Sequence, residues 1–334
     1  MYEQIFEKVK TSKNIVIFPH TSVDGDSVAC AKALYVALTR MGKDVIILCD
    51  EPVPDYVSFL AGPEFLVYSN IISELLELRY RSKYNNFTDE FSYDLAIAVD
   101  CSDYSRIENR LDIWNKARAT ACIDHHPGET SISENTVRDP SACAAAMLVY
   151  EFLKESGIEI DKEIAEAIYA GIVTDTGGFR FSNTDARTHE MVAELFSYGI
   201  DVADVSSKIY DSKPLSQLKI EAYALRNVEI LCDGKLAISC IPYSLWNPIK
   251  VPYSYTESSI DVIRSIKGVE VAVVLKEKEP EVFKVSMRSK SYPNVSDVAV
   301  KLGGGGHKKA AACTLEMPLE TAKELIVEEI EAIL

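Results

Sequence analysis

The chain has 334 residues, 47% of them hydrophobic and 26% charged, which supplies ample apolar material for real cores and excludes wholesale disorder. The balance of 35 basic against 51 acidic residues leaves a net charge of −16. That argues against a partner such as long duplex nucleic acid, whose phosphates need a broad basic surface, but not against a short anionic substrate held by metal ions and a few local cations.

The first half repeats one pattern: a short apolar run that stops abruptly at polar residues. The runs are Ile15–Phe18, Val45–Leu48, Leu95–Val99 and Ala119–Ile123. They are rich in β-branched residues and do not alternate, as expected of strands buried on both faces of a parallel sheet. Helical stretches lie between them. Ser27–Met41 keeps Cys30, Ala33, Leu34, Ala37, Leu38 and Met41 on one face, with Gly42 just past its end. The pattern predicts a doubly wound α/β domain, in which ligands bind beyond the carboxyl ends of the strands. Ser141–Gly157 and Asp161–Val173 read as helices, the second with an Ile164, Ile168, Ile172 stripe. Arg187–Tyr198 and Val202–Tyr210 read as linker helices, with Gly199 and Pro214 as breaks. Hairpins follow: Asn227–Leu231 with Lys235–Ile241 around Cys232-Asp233-Gly234, and Val269–Lys276 with Glu281–Met287 around Glu-Lys-Glu-Pro. Thr321–Leu334 is a closing amphipathic helix. The expected domains are 1–185, a helical linker 186–222, and a smaller α/β domain with a mixed sheet at 223–334.

The eight cysteines, at 30, 49, 101, 122, 143, 232, 240 and 313, form no CxxC pair, and most lie in apolar runs. They read as buried thiols in a reducing cytoplasm. The longest uncharged stretch, Leu236–Ile249, is too short to span a bilayer, and MYEQIFEKVK has no signal-peptide apolar block, so no membrane partner is expected.

Four clusters carry the candidate chemistry. The first is His20-Thr-Ser-Val-Asp24-Gly-Asp26-Ser27, where Gly25 permits a tight turn that aims two carboxylates at two metal ions. The plainer alternative is a loop in which Asp24 and Asp26 make turn bonds and Ser27 N-caps the next helix. The second is Asp100, which ends LAIAV; alone it reads as well as a helix cap. The third is Asp124-His125-His126-Pro127 after TACI, notable in a chain with only five histidines. The fourth is Thr174-Asp175-Thr176-Gly177-Gly178, whose glycines alone indicate a helix stop. A carboxylate and imidazole set without thiolate suits Mn²⁺, Co²⁺ or Mg²⁺ better than structural zinc. Two such ions are a device for phosphoryl hydrolysis. In the second half, Gly303-Gly304-Gly305-Gly306-His307 is either an anion nest, supplemented by Arg288 and Lys308 or Lys309, or a flexible turn with solvated lysines. His189 reads as structural and Arg180 as a phosphate contact. Trp114, Trp246 and Pro252–Tyr255 read as base-stacking or plain packing aromatics.

The ordered motifs H-x3-D-x-D at His20–Asp26, the strand-end Asp100, the Asp124-His125-His126 triplet and Thr174-Asp175-Thr176 resemble the DHH phosphoesterase superfamily. Arg288-Ser289 and Gly303–His307 resemble its DHH-associated C-terminal domain, so the likeness covers nearly the whole chain. Within the superfamily the chain is most similar to the NrnA type, oligoribonucleases (nanoRNases) that also act on 3′-phosphoadenosine-5′-phosphate (pAp). The larger RecJ exonucleases share the motifs but carry extra domains. The resemblance implies two Mn²⁺ ions. His20, Asp24 and Asp100 would hold one; Asp26, Asp100, His125 and Asp175 would hold the other, with Asp100 bridging. Asp100, His125 and His126 would be catalytic, with His126 behind the ligands or on the scissile phosphate. Arg288, Ser289, Gly303, Gly304, Gly305, Gly306 and His307 would grip the substrate's terminal phosphate or base, and a cleft between domains would measure its length. One departure is Ala310-Ala311-Ala312-Cys313, where the family often has another glycine, a change that narrows the pocket. The implied partners are short single-stranded oligonucleotides, dinucleotides or pAp, and a homodimer is compatible with the family. The alternatives are a linear or cyclic dinucleotide (pApA, c-di-AMP) phosphodiesterase, a family II inorganic pyrophosphatase, and a catalytically dead nucleotide-binding regulator. The pyrophosphatase C-terminal motif, of Ser-Arg-Lys-Lys-Gln type, is replaced here by GGGGH, and the regulator is disfavoured by a full ligand set.

Overall fold

The structure is a computed structural model that describes residues 2–84 and 92–334. It divides into two compact units, Met1–Ser212 and Lys213–Leu334.

The first unit is built on a six-stranded sheet: β1 (Asn14–Pro19), β2 (Asp44–Cys49), β3 (Phe65–Val67), β4 (Leu95–Val99), β5 (Thr120–Asp124) and β6 (Thr136–Arg138). Every pairing is parallel and the order is β3-β2-β1-β4-β5-β6, the doubly wound arrangement. Strand β1 shows why its sequence does not alternate. Ile15 and Ile17 enter one core with Leu34 and Leu38, while Val16 and Phe18 enter another with Trp114 on the opposite face. Helices Gly25–Arg40, Ala145–Glu155 and Lys162–Asp175 cover the first of these faces. They pack closely because Gly171 lacks a side chain: a Cβ there would lie 2.7 Å from Ala146 Cβ and 3.0 Å from Ala29 Cβ. Helix Lys162–Asp175 is N-capped by Asp161, and Gly199 adopts the left-handed conformation (φ 74°) that ends the turn Phe196–Tyr198.

Of the segment 186–222, helices Ala186–Leu195 and Val202–Tyr210 bury Met191, Val192, Leu195, Val205 and Ile209 in the first unit's core. Helix Leu215–Arg226, which starts after Pro214, buries Ile220 and Ala224 in the second unit.

The second unit is a mixed sheet of β7 (Glu229–Leu231), β8 (Leu236–Ile241), β9 (Val271–Glu279), β10 (Val282–Ser289), β11 (Gly305–His307) and β12 (Ala310–Glu316). Its order is β11-β12-β10-β9-β8-β7, with only β8 and β9 parallel. Both expected hairpins form, but β9 runs on through Glu279, and the reversal falls at Pro280-Glu281, with Glu281 at φ 62°. Helices Val295–Lys301 and Leu319–Glu331 cover one face of this sheet, and Leu215–Arg226 and Ser259–Arg264 the other. Among the described residues no helix is long and apolar enough to cross a membrane.

Candidate metal centre and substrate face

The first unit gathers its polar residues at the carboxyl ends of β1, β4 and β5. In this strand order β1 and β4 are neighbours whose connections leave in opposite directions, so a crevice opens at their ends. His20 and Asp24 follow β1, Asp100 follows β4, and His125 and His126 follow β5. Asp175 is the last residue of helix Lys162–Asp175.

Asp24, rather than Ser27, is the N-cap of helix Gly25–Arg40. Its carboxylate accepts the Ser27 N–H at 3.0 Å, and the Ser27 hydroxyl answers the Asp24 N–H at 3.1 Å, closing a capping box. Gly25 does not serve a left-handed turn. It is the first helical residue, and a Cβ there would collide with the Thr174 side chain, so glycine is needed for close approach. Asp26 then lies in the first helical turn, buried, with its oxygens accepting the N–H groups of Ala145 (2.5 Å) and Ala146 (3.0 Å). It thereby binds the positive end of helix Ala145–Glu155 and keeps spare lone pairs on both oxygens.

The two imidazoles are set by backbone carbonyls. His20 Nδ1 lies 2.6 Å from Thr21 O and His125 Nδ1 lies 3.1 Å from Ala142 O. A carbonyl only accepts, so each Nδ1 carries the proton and each Nε2 is turned toward the carboxylates. His20 Nε2 is 3.3 Å from Asp24 Oδ2 and 3.4 Å from Asp100 Oδ2; His125 Nε2 is 3.5 Å from Asp100 Oδ1 and 3.9 Å from Asp175 Oδ2. The two oxygens of Asp100 thus face two different imidazoles. Asp100 also holds a left-handed backbone (φ 58°), which Asp tolerates better than most side chains.

Among the described residues, three groups have donor atoms within 4.8 Å of one another, close enough to hold a metal ion: His20, Asp24 and Asp100; Asp26, His125 and Asp175; and Asp100, His125 and His126. The electrostatics fit a cation. Burial, then repulsion from Asp100, pushes the Asp26 carboxyl up to about 7, and burial and Asp26 hold Asp175 well above the ordinary range. Burial opposes charge on His20 and His125, yet the facing carboxylates win and raise them to about 10 and about 9. His20 Nε2 and Asp100 Oδ1 are buried with no hydrogen-bond partner. Divalent cations would displace these protons and satisfy these atoms.

The triplet's first residue, Asp124, belongs to none of these groups. It is fully buried and accepts from His126 Nδ1 (2.8 Å), the His126 N–H (3.1 Å) and the Ser102 hydroxyl (2.5 Å). Against its burial, these bonds hold it down at about 2, so it is a charged anchor that orients His126. Sequence reasoning did not assign Asp124, Ser102 or the two orienting carbonyls. Only the triplet's adjacency to β5 signalled Asp124.

The other candidates in this unit are placed as follows. Arg180 Nε donates to Gly177 O at 2.5 Å, and the exposed His189 packs on the Phe179 ring at 5.4 Å. Trp114 is core, edge-on to Phe18 at 5.3 Å. In the second unit Trp246 packs between Tyr243 and Tyr253 and donates to Glu277 O. All eight cysteines are free, and six are buried.

Still in the second unit, the glycines divide their work. The Gly303 N–H bonds Val300 O (3.1 Å) and the Gly304 N–H bonds Ala299 O (2.7 Å), with Gly303 at φ 77°. This is a Schellman cap on helix Val295–Lys301, so those two amides are committed to the helix rather than to an open nest. Gly305, Gly306 and His307 form the edge strand β11, opposite Ala312, Ala311 and Ala310. Arg288 pairs with Ala310 on its other side. Residues directly opposite share a face, so Arg288, Ala310 and His307 make one row across three strands, with Ala310 on the strand between the other two. Ser289 is buried and donates to Pro293 O at 2.9 Å, and Lys309 Nζ is buried without a partner.

Comparison with known proteins places the chain in a family. Residues 14–172 match the family model described as "DHH family, N-terminal domain", and residues 252–334 match the DHHA1 domain. The chain belongs to the DHH family and is a phosphoester hydrolase. It is 29% identical over 317 residues to the bifunctional oligoribonuclease and PAP phosphatase NrnA of Thermus thermophilus, covering 95% of this chain and 89% of that one. It is 27% identical over 319 residues to the cyclic-di-AMP phosphodiesterase GdpP of Bacillus subtilis, covering 92% of this chain but 46% of that one. In fold it is similar to an exopolyphosphatase-related protein of Bacteroides fragilis, with a TM-score of 0.88 and 24% identity, covering 99% of this chain and 95% of that one.

Proposed function

We propose that the protein is a two-metal phosphoesterase that releases mononucleotides from very short oligonucleotides and removes the 3′-phosphate from pAp. The observation that carries this is Asp100, whose two oxygens each face a different histidine within 3.5 Å. His20, Asp24 and Asp100 would hold one divalent ion, and Asp26, Asp100, His125 and Asp175 the other, with Mn²⁺ the first choice for such a donor set. Bound there, the ions would make water a nucleophile at neutral pH and neutralise charge on the reacting phosphate. The chain's own groups do the rest. Asp124 engages His126 Nδ1 and so fixes the orientation of that imidazole beside Asp100. Asp26 ties the centre to helix Ala145–Glu155. The Arg288 and His307 row would take a terminal phosphate or base. Kinship to NrnA over nearly the full length of both chains supports the substrate class. The free, mostly buried thiols fit a reducing cytoplasm.

A second reading, a dinucleotide phosphodiesterase, draws on the likeness to GdpP, of which this chain spans less than half. One Mn²⁺-dependent panel separates the two, comparing pApA, a labelled trimer, a long single strand, pAp, c-di-AMP and pyrophosphate, with EDTA as control. Fast turnover of the trimer and pAp, with the long strand slow, is the expected result. Preference for c-di-AMP or pyrophosphate would overturn the substrate assignment and leave the metal centre standing.

A further inference from the structure

Among the described residues Arg110 is the largest fully buried side chain, at 0% exposure, and no part of the chemistry above uses it. Its Nη1 donates to Leu48 O near the end of β2 at 2.5 Å. Its Nη2 pairs with Asp50 Oδ2 at 2.9 Å and reaches Arg106 O at 3.4 Å, and the guanidinium lies 5.7 Å from the centre of the Phe18 ring. Asp50 Oδ2 in turn lies 2.5 Å from the Thr21 hydroxyl, which is 2.8 Å from Arg106 O; the Thr21 N–H also donates to Arg106 O at 2.7 Å. Thr21 is the residue whose carbonyl receives the His20 Nδ1 proton at 2.6 Å.

We propose that Arg110 is a positioning residue for the metal centre, acting through Asp50 and Thr21 to fix the peptide that orients the His20 imidazole. The proposal rests on the two-metal reading above. Two physical arguments favour it. A buried ion pair is a poor stabiliser, because an apolar pair of the same volume is commonly as stable, so stability does not account for this one. The loop also cannot hold its own shape: Ser22, directly after Thr21, is exposed in the left-handed region at φ 59°, a conformation that persists only where neighbours impose it. Arg110 and Asp50 supply that constraint by joining the ends of β1 and β2 to the segment after β4.

The test is an equilibrium Mn²⁺ titration of the full chain, read as binding rather than turnover, with thermal unfolding alongside. The wild type is expected to bind two ions. The double variant Arg110→Met with Asp50→Leu replaces the pair by apolar side chains, so it should fold with a Tm near wild type. It should bind one of the two ions about 10- to 100-fold more weakly, with the other unchanged, and kcat should fall while KM holds. Thr21→Val leaves the ion pair intact and should weaken the same ion; it decides the matter if the double variant does not fold. Folded variants that bind both ions within about threefold of wild type overturn the proposal. A wild type that binds no Mn²⁺ overturns the two-metal reading itself, and that is visible before any variant is made.

Discussion

The two units solve different problems with different materials. In the first, the candidate metal-site residues sit at strand ends and in a first helical turn, and four of them are aimed by a second group: His20 by Thr21 O, His125 by Ala142 O, His126 by Asp124 and Asp26 by two helix amides. In the second, the candidate residues run across the outer three strands, from half-buried Arg288 on β10 to β11, which is exposed throughout and whose glycines meet an alanine-lined neighbour. Chemistry that tolerates little displacement is built where packing is dense. On the function proposed above, recognition, which tolerates more, would fall on the outer strands of the second sheet.

The contrast predicts a ranked set of effects. The largest is at the bridge. Asp100→Asn keeps the left-handed backbone that Asn also accepts, yet hydrolysis should fall on the order of 10³-fold or more, measured at saturating Mn²⁺. A smaller loss would mean that the carboxylate is not shared. Next is the packing that carries the ligands. Gly25→Ala forces a methyl into Thr174, the neighbour of Asp175, and should cost about 1–3 kcal/mol of stability by denaturant unfolding and lower kcat with it. Loss of stability with full activity would show that the ligands do not depend on this contact. In the row across the second sheet, His307→Ala and Arg288→Lys should raise KM about tenfold and leave kcat nearly unchanged, the signature of lost ground-state binding. A kcat effect there would erase the distinction between the two units.

The smallest effect lies in the interior of the same sheet. Lys276 is 1% exposed on β9 and pairs with Glu257; burial draws its pKa down to about 8 despite that partner. The folded state therefore gives up this proton at lower pH than the unfolded chain. Between about pH 8 and 10.5 the unfolded state binds more protons, so stability contributed at this site rises with pH across that window. The wild type should gain stability relative to Lys276→Met over that range, measured as the difference of two denaturant series. A flat difference would show that Glu257 fully compensates the buried charge.

What was legible in the sequence follows from the same physics. Strands β1, β2, β4 and β5 announce themselves because burial on both faces demands unbroken apolar runs. The edge strands β3 and β6, three residues each, are too short to show a pattern. Strand β11 is hidden because glycine-rich segments read as turns. The candidate metal ligands were legible as residue types, most of them at strand ends, but their orienting partners were not. Two of those are backbone carbonyls, which every residue carries, and tertiary structure alone selects Thr21 and Ala142. Arg110 was hidden in the charged run Glu-Asn-Arg-Leu-Asp, which reads as a solvated surface, although the fold buries it completely.

The central claim is that one carboxylate, Asp100, joins two metal sites. The most direct measurement is the Mn²⁺ stoichiometry of wild type and Asp100→Asn by calorimetric titration at neutral pH. The account predicts two ions per wild-type chain and weakened binding of both in the variant, because both sites lose the same ligand. A wild type with a single ion, or a variant in which only one of two ions is weakened, would contradict it.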